Sequence, residues 1–198
     1  MTTAAHVDGY YYKPRIDKEL LAQHSAGLIA MSGCLASEIP DLIMKDQVAK
    51  ARDAVDWFKQ TLGPENFFLE LQNHGIPEQA KVNRQLLAFA KDFGLKCVAT
   101  NDVHYVEKSH SHAHDCLVCI GTQSMLSDPK RMSAGYVPEQ FFLRSEAEMA
   151  ARFAEVPESV RNTLEVAEKC NLEIKFGENK YPVFHPPEHF TREGYLRM

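Results

Sequence analysis

Three short apolar runs along the chain each end in polar side chains, and each precedes a segment with helical periodicity. The runs occupy residues 27–34, 67–74 and 96–104. Runs of this length fit buried strands of a parallel sheet, although periodicity alone does not separate them from buried helix. Because each run is followed by a helical pattern, the sequence predicts βαβ units and an α/β fold.

Apolar residues recur at spacings of three and four residues after two of the runs, which predicts amphipathic helices. One pattern extends from Val48 to Leu62 and the other from Val82 to Phe93. For the second helix, Pro77 is a typical start and Gly94 a typical stop.

Three later segments complete the helical pattern, and in each we predict that the apolar stripe faces the interior. The stripes comprise Ala113, Cys116, Leu117 and Ile120 in the first segment, Met149 and Phe153 in the second (146–154), and Val160, Leu164 and Ala167 in the third (157–170). Residues 181–187 cannot form a helix through their prolines, so this segment is predicted to be extended.

Polar residues follow the predicted strands, at the edge where parallel α/β sheets bind their ligands. A complete barrel of this type needs ~250 residues. The chain has 198 residues and about three clear strand–helix units. We therefore expect a partial barrel without its first strands over residues 1–180, followed by an exit linker over 181–198.

The composition is that of a globular protein. Apolar residues make up 44% and charged residues 25%, which excludes disordered and collagen-like chains. No apolar run approaches the roughly 20 residues of a membrane helix, and the first residues lack a signal-peptide pattern. Five cysteines, an odd number, favour a reduced protein. We expect a cytoplasmic protein with no membrane partner.

The charge balance argues against a chain that holds nucleic acid by itself. The formal net charge is −5, with 22 basic and 27 acidic residues, whereas proteins that hold a nucleic acid backbone usually show a basic patch. We expect any DNA to be held by other domains. Tyrosines 10–12 lie beside Lys13 and Arg15; they could stack on bases, or form an aromatic strand packed on the barrel.

The residues with the clearest metal chemistry are Asp102 and His104. They lie two positions apart, so an extended backbone would direct both side chains to the same side. Carboxylate and imidazole are ligands of divalent metals. The alternative for this pair is an exposed loop aspartate and a histidine that caps a neighbouring helix. Cys34 follows another predicted strand, where its thiolate could bind zinc, although a lone cysteine is more often a small buried residue.

Ligand-type side chains follow all three predicted strands, and this favours a shared site more than any single residue does. We predict a metal site with the ligands Cys34, Asp102 and His104. Three further residues are predicted to lie at the rim of this site: Glu70, His74 and Asn101. For His74, an ordinary loop histidine is the alternative. No catalytic residue is predicted in this chain.

A second group of metal-capable residues lies on one predicted helix face, since His112, Cys116 and Cys119 are spaced at i, i+4 and i+7. Cys116 also belongs to an apolar stripe, and no second Cys/His pair follows at zinc-finger spacing. We therefore expect core cysteines and solvated histidines here in preference to an independent zinc or redox site.

These motifs together resemble one family, the PHP (polymerase and histidinol phosphatase) domain of the bacterial DNA polymerase III alpha subunit. The matching stretches are 9–17, 27–35, 68–75, 98–105, 113–115 and 162–171, which cover nearly the whole chain in the family's order. The resemblance implies a distorted (β/α)₇ barrel with a multinuclear Zn²⁺ or Mn²⁺ site at its C-terminal rim. It also implies that Cys34, Asp102 and His104 match the family's later ligands, and that earlier ligands are missing here.

The resemblance implies a replicative role for the full-length protein. That role is DNA-directed DNA synthesis, a nucleotidyltransferase reaction with Mg²⁺ in a palm domain absent from this sequence. The implied partners are the rest of the alpha subunit and a proofreading 3'-5' exonuclease subunit. The PHP domain itself would be phosphoesterase-like. Two alternatives are a non-catalytic scaffold that docks the exonuclease and a free-standing PHP phosphatase. We expect this segment alone to be inactive.

Overall fold

The computed structural model describes residues 1–132, 138–178 and 181–197. Its helices and strands follow the chain as α1 (Thr2–Val7), β1 (Tyr10–Tyr11), β2 (Lys13–Pro14), α2 (Lys18–Gln23), β3 (Ala30–Met31), α3 (Glu38–Met44), α4 (Val48–Leu62), β4 (Phe67–Gln72), α5 (Pro77–Phe93), β5 (Cys97–Thr100), α6 (Ser111–Thr122), α7 (Glu146–Arg152), α8 (Pro157–Lys169) and α9 (Arg192–Leu196). Short 3₁₀ turns occupy Lys108–His110 and Pro138–Gln140.

The centre of the fold is a parallel three-stranded sheet in the order β3-β4-β5. In its register, Ala30 pairs with Phe67, and Leu69 pairs with Cys97. Helices separate the strands along the chain, as parallel pairing requires. The predicted α/β class is therefore confirmed. The strands are shorter than the apolar runs that predicted them.

The two longest helices begin and end close to their sequence signals. Helix α5 has Pro77 in its first turn and ends at Gly94, whose φ of 64° is left-handed. A residue without Cβ adopts this conformation at little cost, so the chain can leave the helix there. Helix α4 spans Val48–Leu62, as its periodicity predicts.

The hydrophobic core lies on one face of β4. Phe67, Leu69 and Leu71 alternate along the strand and are almost completely buried in the core cluster. The helical residues that fill the rest of this cluster include Ala51, Ala54, Val55, Val82, Leu86 and Phe89. Phe153 is also buried there, with Met149 and Val160 packed against the cluster, as their stripes predict.

The alternate residues of β4, on its other face, are the buried Phe68 and the polar Glu70 and Gln72. Side chains alternate between the faces of a strand, so Glu70 and Gln72 lie opposite the core face of β4. The carboxylate Oε1 of Glu70 accepts a hydrogen bond from the Thr100 hydroxyl at 2.5 Å, and Ser32 Oγ accepts one from the Glu70 main-chain N–H at 2.8 Å. Hydrogen bonds thus connect β4 to β5 and to the residue that follows β3.

The predicted inward stripes of α6 and α8 are wrong in part. Leu117 and Ile120 of α6 are exposed, and the buried residues of that helix are Asp115 and Cys119. Asp115 pairs with Arg131, so a buried carboxylate, which must be paired, orients α6.

A polar contact also explains why residues of the predicted apolar stripe of α8 are exposed. Leu164 and Ala167 are exposed, whereas Ser159 is completely buried. The Asn162 side-chain amide donates a hydrogen bond to the main-chain carbonyl of Cys97 on β5 at 2.8 Å. This hydrogen bond therefore sets the rotation of α8 about its axis. Apolar spacing alone does not reveal that rotation.

The aromatic segment near the start forms a short antiparallel hairpin of β1 and β2. Tyr10, Tyr11 and Tyr12 are all exposed. Of the two alternatives given for these rings, packing on the sheet is therefore not seen in the described part of the chain.

Residues 181–187 contain no helix or strand, as predicted, and α9 follows within the predicted linker. The predicted boundary between residues 180 and 181 adjoins the described residues, and the final residue 198 lies outside them. The division into domain and linker stays a prediction. No helix in the described ranges has both the length and the apolar character needed to cross a membrane.

Candidate metal-binding rim

Asp102 and His104 come together in a tight turn just after β5. The strand ends at Thr100, and Asp102 has a left-handed φ of 43°. The extended backbone that was expected to align the pair is therefore absent. The turn nevertheless brings His104 Nδ1 to 2.6 Å from the Asp102 main-chain oxygen and 4.0 Å from its Oδ1.

The hydrogen bond of His104 has a consequence for metal binding. A carbonyl oxygen can only accept, so Nδ1 of His104 carries the proton and donates it to Asp102. This tautomer leaves the lone pair on Nε2 free. Metal-binding histidines commonly donate their second ring nitrogen to a carbonyl or carboxylate in this way. His104 is half-exposed and is held in an orientation suited to a ligand.

A further histidine lies beside this pair. The ring centroids of His114, on α6, and His104 are 5.3 Å apart, and those of Phe141 and His104 are 5.2 Å apart. The site predicted from the sequence does not include His114. The signal that could have found it is the cluster of histidines between 104 and 114.

Cys34 and Glu70 lie at a different part of the rim. Both line a small cavity between the loop after β3 and the end of β4, together with Gln72 and Gln79. Glu70 Oε1 also accepts a hydrogen bond from Gln72 Nε2 at 3.1 Å. The predicted ligand Cys34 thus shares its surroundings with a predicted rim residue.

His74 is buried and its ring is fully hydrogen-bonded. Nε2 contacts the main-chain oxygen of Asn101 at 3.0 Å and so donates, while Nδ1 accepts from Gln79 Nε2 at 2.8 Å. The ring stacks on Phe141. With both nitrogens engaged, His74 has no lone pair to offer a metal in this arrangement. Burial, the largest effect, lowers the pKa of His74 below its ordinary value of 6.5.

Asn101 joins β5 to the segment that follows the 3₁₀ turn at Pro138–Gln140. Its side-chain amide donates to the main-chain oxygens of Gln140, at 2.9 Å, and Phe142, at 2.7 Å. Its Oδ1 accepts from Arg144 Nε at 3.1 Å. Asn101 is therefore a structural residue next to the Asp102–His104 turn, and it fixes the position of that turn.

The donor chemistry of the predicted ligands suits a divalent metal, since thiolate, imidazole and carboxylate all bind zinc. The structure groups Asp102 with His104, and Cys34 with Glu70. Among the described residues, however, no three His, Cys, Asp or Glu side chains are arranged so that they could hold one ion. The three-ligand site of Cys34, Asp102 and His104 stays a prediction.

The buried His74 should make the fold sensitive to acid. Because its folded pKa is below the unfolded value, the unfolded chain binds more protons as the pH falls past about 6.5. The stability due to neutral His74 is complete above the unfolded pKa and is lost as the pH falls toward the folded pKa. We expect urea unfolding between about pH 8 and pH 5 to show a smaller acid loss for His74→Gln than for the wild type.

The matched control for this measurement is His185→Gln, because His185 is exposed in the chain that follows α8. This variant should keep the wild-type acid slope. An unchanged slope in His74→Gln would show that the buried imidazole does not control the acid response.

Two comparisons with known proteins show what this chain is similar to. Residues 1–74 match the family model of the PHP domain. Residues 1–74 are thus similar to the PHP domain, as the motifs in that part of the chain indicated.

Over its whole length the chain is homologous to a segment of DNA polymerase III subunit alpha. It is 39% identical over 198 residues to that protein of Treponema pallidum, covering 100% of this chain and 17% of the relative. It is 40% identical over 203 residues to that of Thermus aquaticus, covering 100% and 16%. The Borreliella burgdorferi protein is 37% identical over 195 residues, covering 98% and 17%. The chain therefore spans about a sixth of each of these relatives.

Proposed function

We propose that this chain acts as the PHP segment of a bacterial replicative DNA polymerase, the alpha subunit of DNA polymerase III. The whole subunit would carry out DNA-directed DNA synthesis in the cytoplasm, with Mg²⁺ and DNA bound by other domains. The sheet β3-β4-β5 would then be part of a distorted (β/α)₇ barrel. Alignment of the entire chain with alpha subunits is the observation that carries this proposal. It favours the polymerase over a free-standing PHP phosphatase.

The segment would contribute ligands to a zinc or manganese site of the subunit. Asp102 and His104 form one pair of ligands, because their turn holds Nε2 of His104 free. Cys34 would be a further ligand from the far strand of the sheet. Ligands from parts of the subunit outside this chain would complete the site. Bound ions of this kind activate water and stabilise phosphate oxygens in phosphoester hydrolysis.

Metal analysis of the intact alpha subunit containing this sequence tests the proposal. We expect the wild-type subunit to retain zinc or manganese after dialysis, and His104→Ala to lose at least one bound ion per subunit. His185→Ala, an exposed histidine away from the sheet, should retain the full content. Absence of metal from the wild type, or equal content in all three proteins, would contradict the metal site.

A second function, a non-catalytic scaffold that docks the proofreading exonuclease, is favoured by a separate observation. Leu117 and Ile120 on α6 and Leu164 on α8 are large apolar side chains exposed at helical spacing. Exposed apolar faces of this kind are typical of protein contacts. The same subunit preparations distinguish the two functions. A metal-free subunit that still binds the exonuclease subunit supports the scaffold alone.

A further inference from the structure

Helix α6 contains His112 and two cysteines, Cys116 and Cys119. None of these three residues belongs to the candidate metal-binding rim. Cys116 Sγ lies 3.9 Å from Nε2 of His112, one helical turn earlier. Cys116 is partly buried. Cys119 is buried, and its thiol contacts Asp115 Oδ1 at 4.0 Å. A partly exposed cysteine beside an imidazole therefore lies three residues before a buried cysteine.

The other three cysteines of the chain lack this arrangement. Burial raises the pKa of the Cys97 thiol to about 11, which keeps it protonated and unreactive. Cys170 is exposed at the end of α8, and Cys34 lines the small cavity beside Glu70. Within the described ranges, Cys116 is the cysteine that has an imidazole within hydrogen-bonding reach of its sulfur.

The spacing of Cys116 and Cys119 allows them to be joined. Residues three apart lie on the same face of a helix, about 5–6 Å apart at Cβ. A disulfide needs about 3.5–4.5 Å between its Cβ atoms. When a helical turn tightens to 3₁₀ geometry, side chains at i and i+3 come into register. Tightening of the single turn 116–119 would therefore bring the two sulfurs together. Because such a bond is strained, it would be readily reduced.

We propose that Cys116 is a peroxide-reactive thiol and that Cys119 is its resolving thiol, forming a reversible disulfide within α6. His112 takes the proton of the Cys116 thiol, and the thiolate attacks a hydroperoxide. An S–O bond forms, the O–O bond breaks, and the hydroxide that leaves is protonated to water. The sulfur is oxidised by two electrons to a sulfenic acid, and the peroxide is reduced.

The second step consumes the Cys119 thiol. Its sulfur attacks the sulfur of Cys116, an S–S bond forms, and the S–O bond breaks. The proton of the Cys119 thiol leaves with the hydroxyl as water, so no further oxidant is needed. The thiol then no longer contacts Asp115, while the ion pair of Asp115 with Arg131 remains. The product is a covalently closed turn on the surface helix.

Hydrogen peroxide treatment of the purified 198-residue chain, followed by peptide mass spectrometry, tests this proposal. In the wild type we expect the α6 peptide to lose two hydrogen atoms, and a dithiol reductant to restore them. In Cys119→Ser, dimedone should trap a sulfenic acid on Cys116. In Cys116→Ser, Cys119 should stay reduced. Oxidation of Cys170 or Cys34 ahead of Cys116, or no dimedone adduct in Cys119→Ser, would overturn the proposal.

The role of His112 has its own readout. His112→Asn should slow the oxidation of Cys116 by about tenfold or more, since a positioned base speeds proton removal by at least this amount. His110→Asn is the matched control. Because His110 pairs with Glu107, its replacement should leave the rate of Cys116 oxidation unchanged. Equal rates in both variants would overturn the assignment of His112. Circular dichroism of each variant confirms that α6 is still helical.

Discussion

Replacement of Phe67 by alanine is expected to lower the free energy of unfolding by about 3–5 kcal/mol, the usual cost of removing a buried phenylalanine. Phe67 is 1% exposed at the start of β4, and its ring stacks on Phe58 of α4 with centroids 5.2 Å apart. The substitution therefore leaves a cavity between the sheet and its helices. Because proteins of this size have total stabilities of about 5–15 kcal/mol, the variant should be close to unfolding.

Urea unfolding followed by circular dichroism measures this effect. Phe176→Ala is the matched control, since the same ring is removed from a side chain that is 89% exposed. Its unfolding free energy should stay within about 0.5 kcal/mol of the wild type. A loss below about 1 kcal/mol in Phe67→Ala would mean that β4 does not pack on α4 as described.

Replacement of Asn101 by alanine should cost about 2–4 kcal/mol, because it removes three hydrogen bonds from a site that is largely closed to water. The change leaves the main-chain oxygens of Gln140 and Phe142 without their donor, and Arg144 without its acceptor. The main-chain oxygen of residue 101, which His74 contacts, is retained. The loss should therefore reflect the detached segment and not the histidine.

The same urea experiment measures the Asn101 variant, with Asn171→Ala as its control. Asn171 is exposed just after α8, and its replacement should change stability by no more than about 0.5 kcal/mol. If the two variants lost equal stability, the amide of Asn101 would not be the link between β5 and the segment beyond the 3₁₀ turn.

The parts of the fold that local chemistry specifies could be predicted from the sequence. Helix α5 has both its signals, Pro77 and Gly94, within the helix or next to it, so its limits follow from short-range backbone preferences. The burial of β4 likewise follows from its apolar residues Phe67, Phe68, Leu69 and Leu71. These features depend on neighbours in sequence, and a single sequence contains them in full.

The features that failed depend on partners that are distant in sequence. Leu164 was placed inward because its spacing is helical, yet the Asn162 contact with β5, across 65 positions, sets the rotation of α8. The rim role of His74 stays a prediction, but its burial against Phe141, a residue far along the chain, was not indicated by the sequence. Apolar periodicity indicates that a helix has an amphipathic face. It does not indicate which polar residues of the helix are buried in its place.

The candidate site shows the same division. The pairing of Asp102 with His104 could be predicted because the two residues are close in sequence, although the turn that joins them is left-handed and not extended. The sharing of one cavity by Cys34 and Glu70 depends on the β3–β4 pairing. Whether Cys34 meets the Asp102–His104 pair around one ion depends on the whole barrel. Motif spacing alone does not contain that information.

The contact between Asn162 and Cys97 bears on self-association. Exposed edge strands of a sheet offer free carbonyl and N–H groups, and another chain can add to them as a further strand. On the β5 side, Asn162 already satisfies the Cys97 carbonyl. On the β3 side, the strand is only Ala30–Met31, too short to template a long pairing. The described sheet is thus poorly suited to edge-to-edge aggregation.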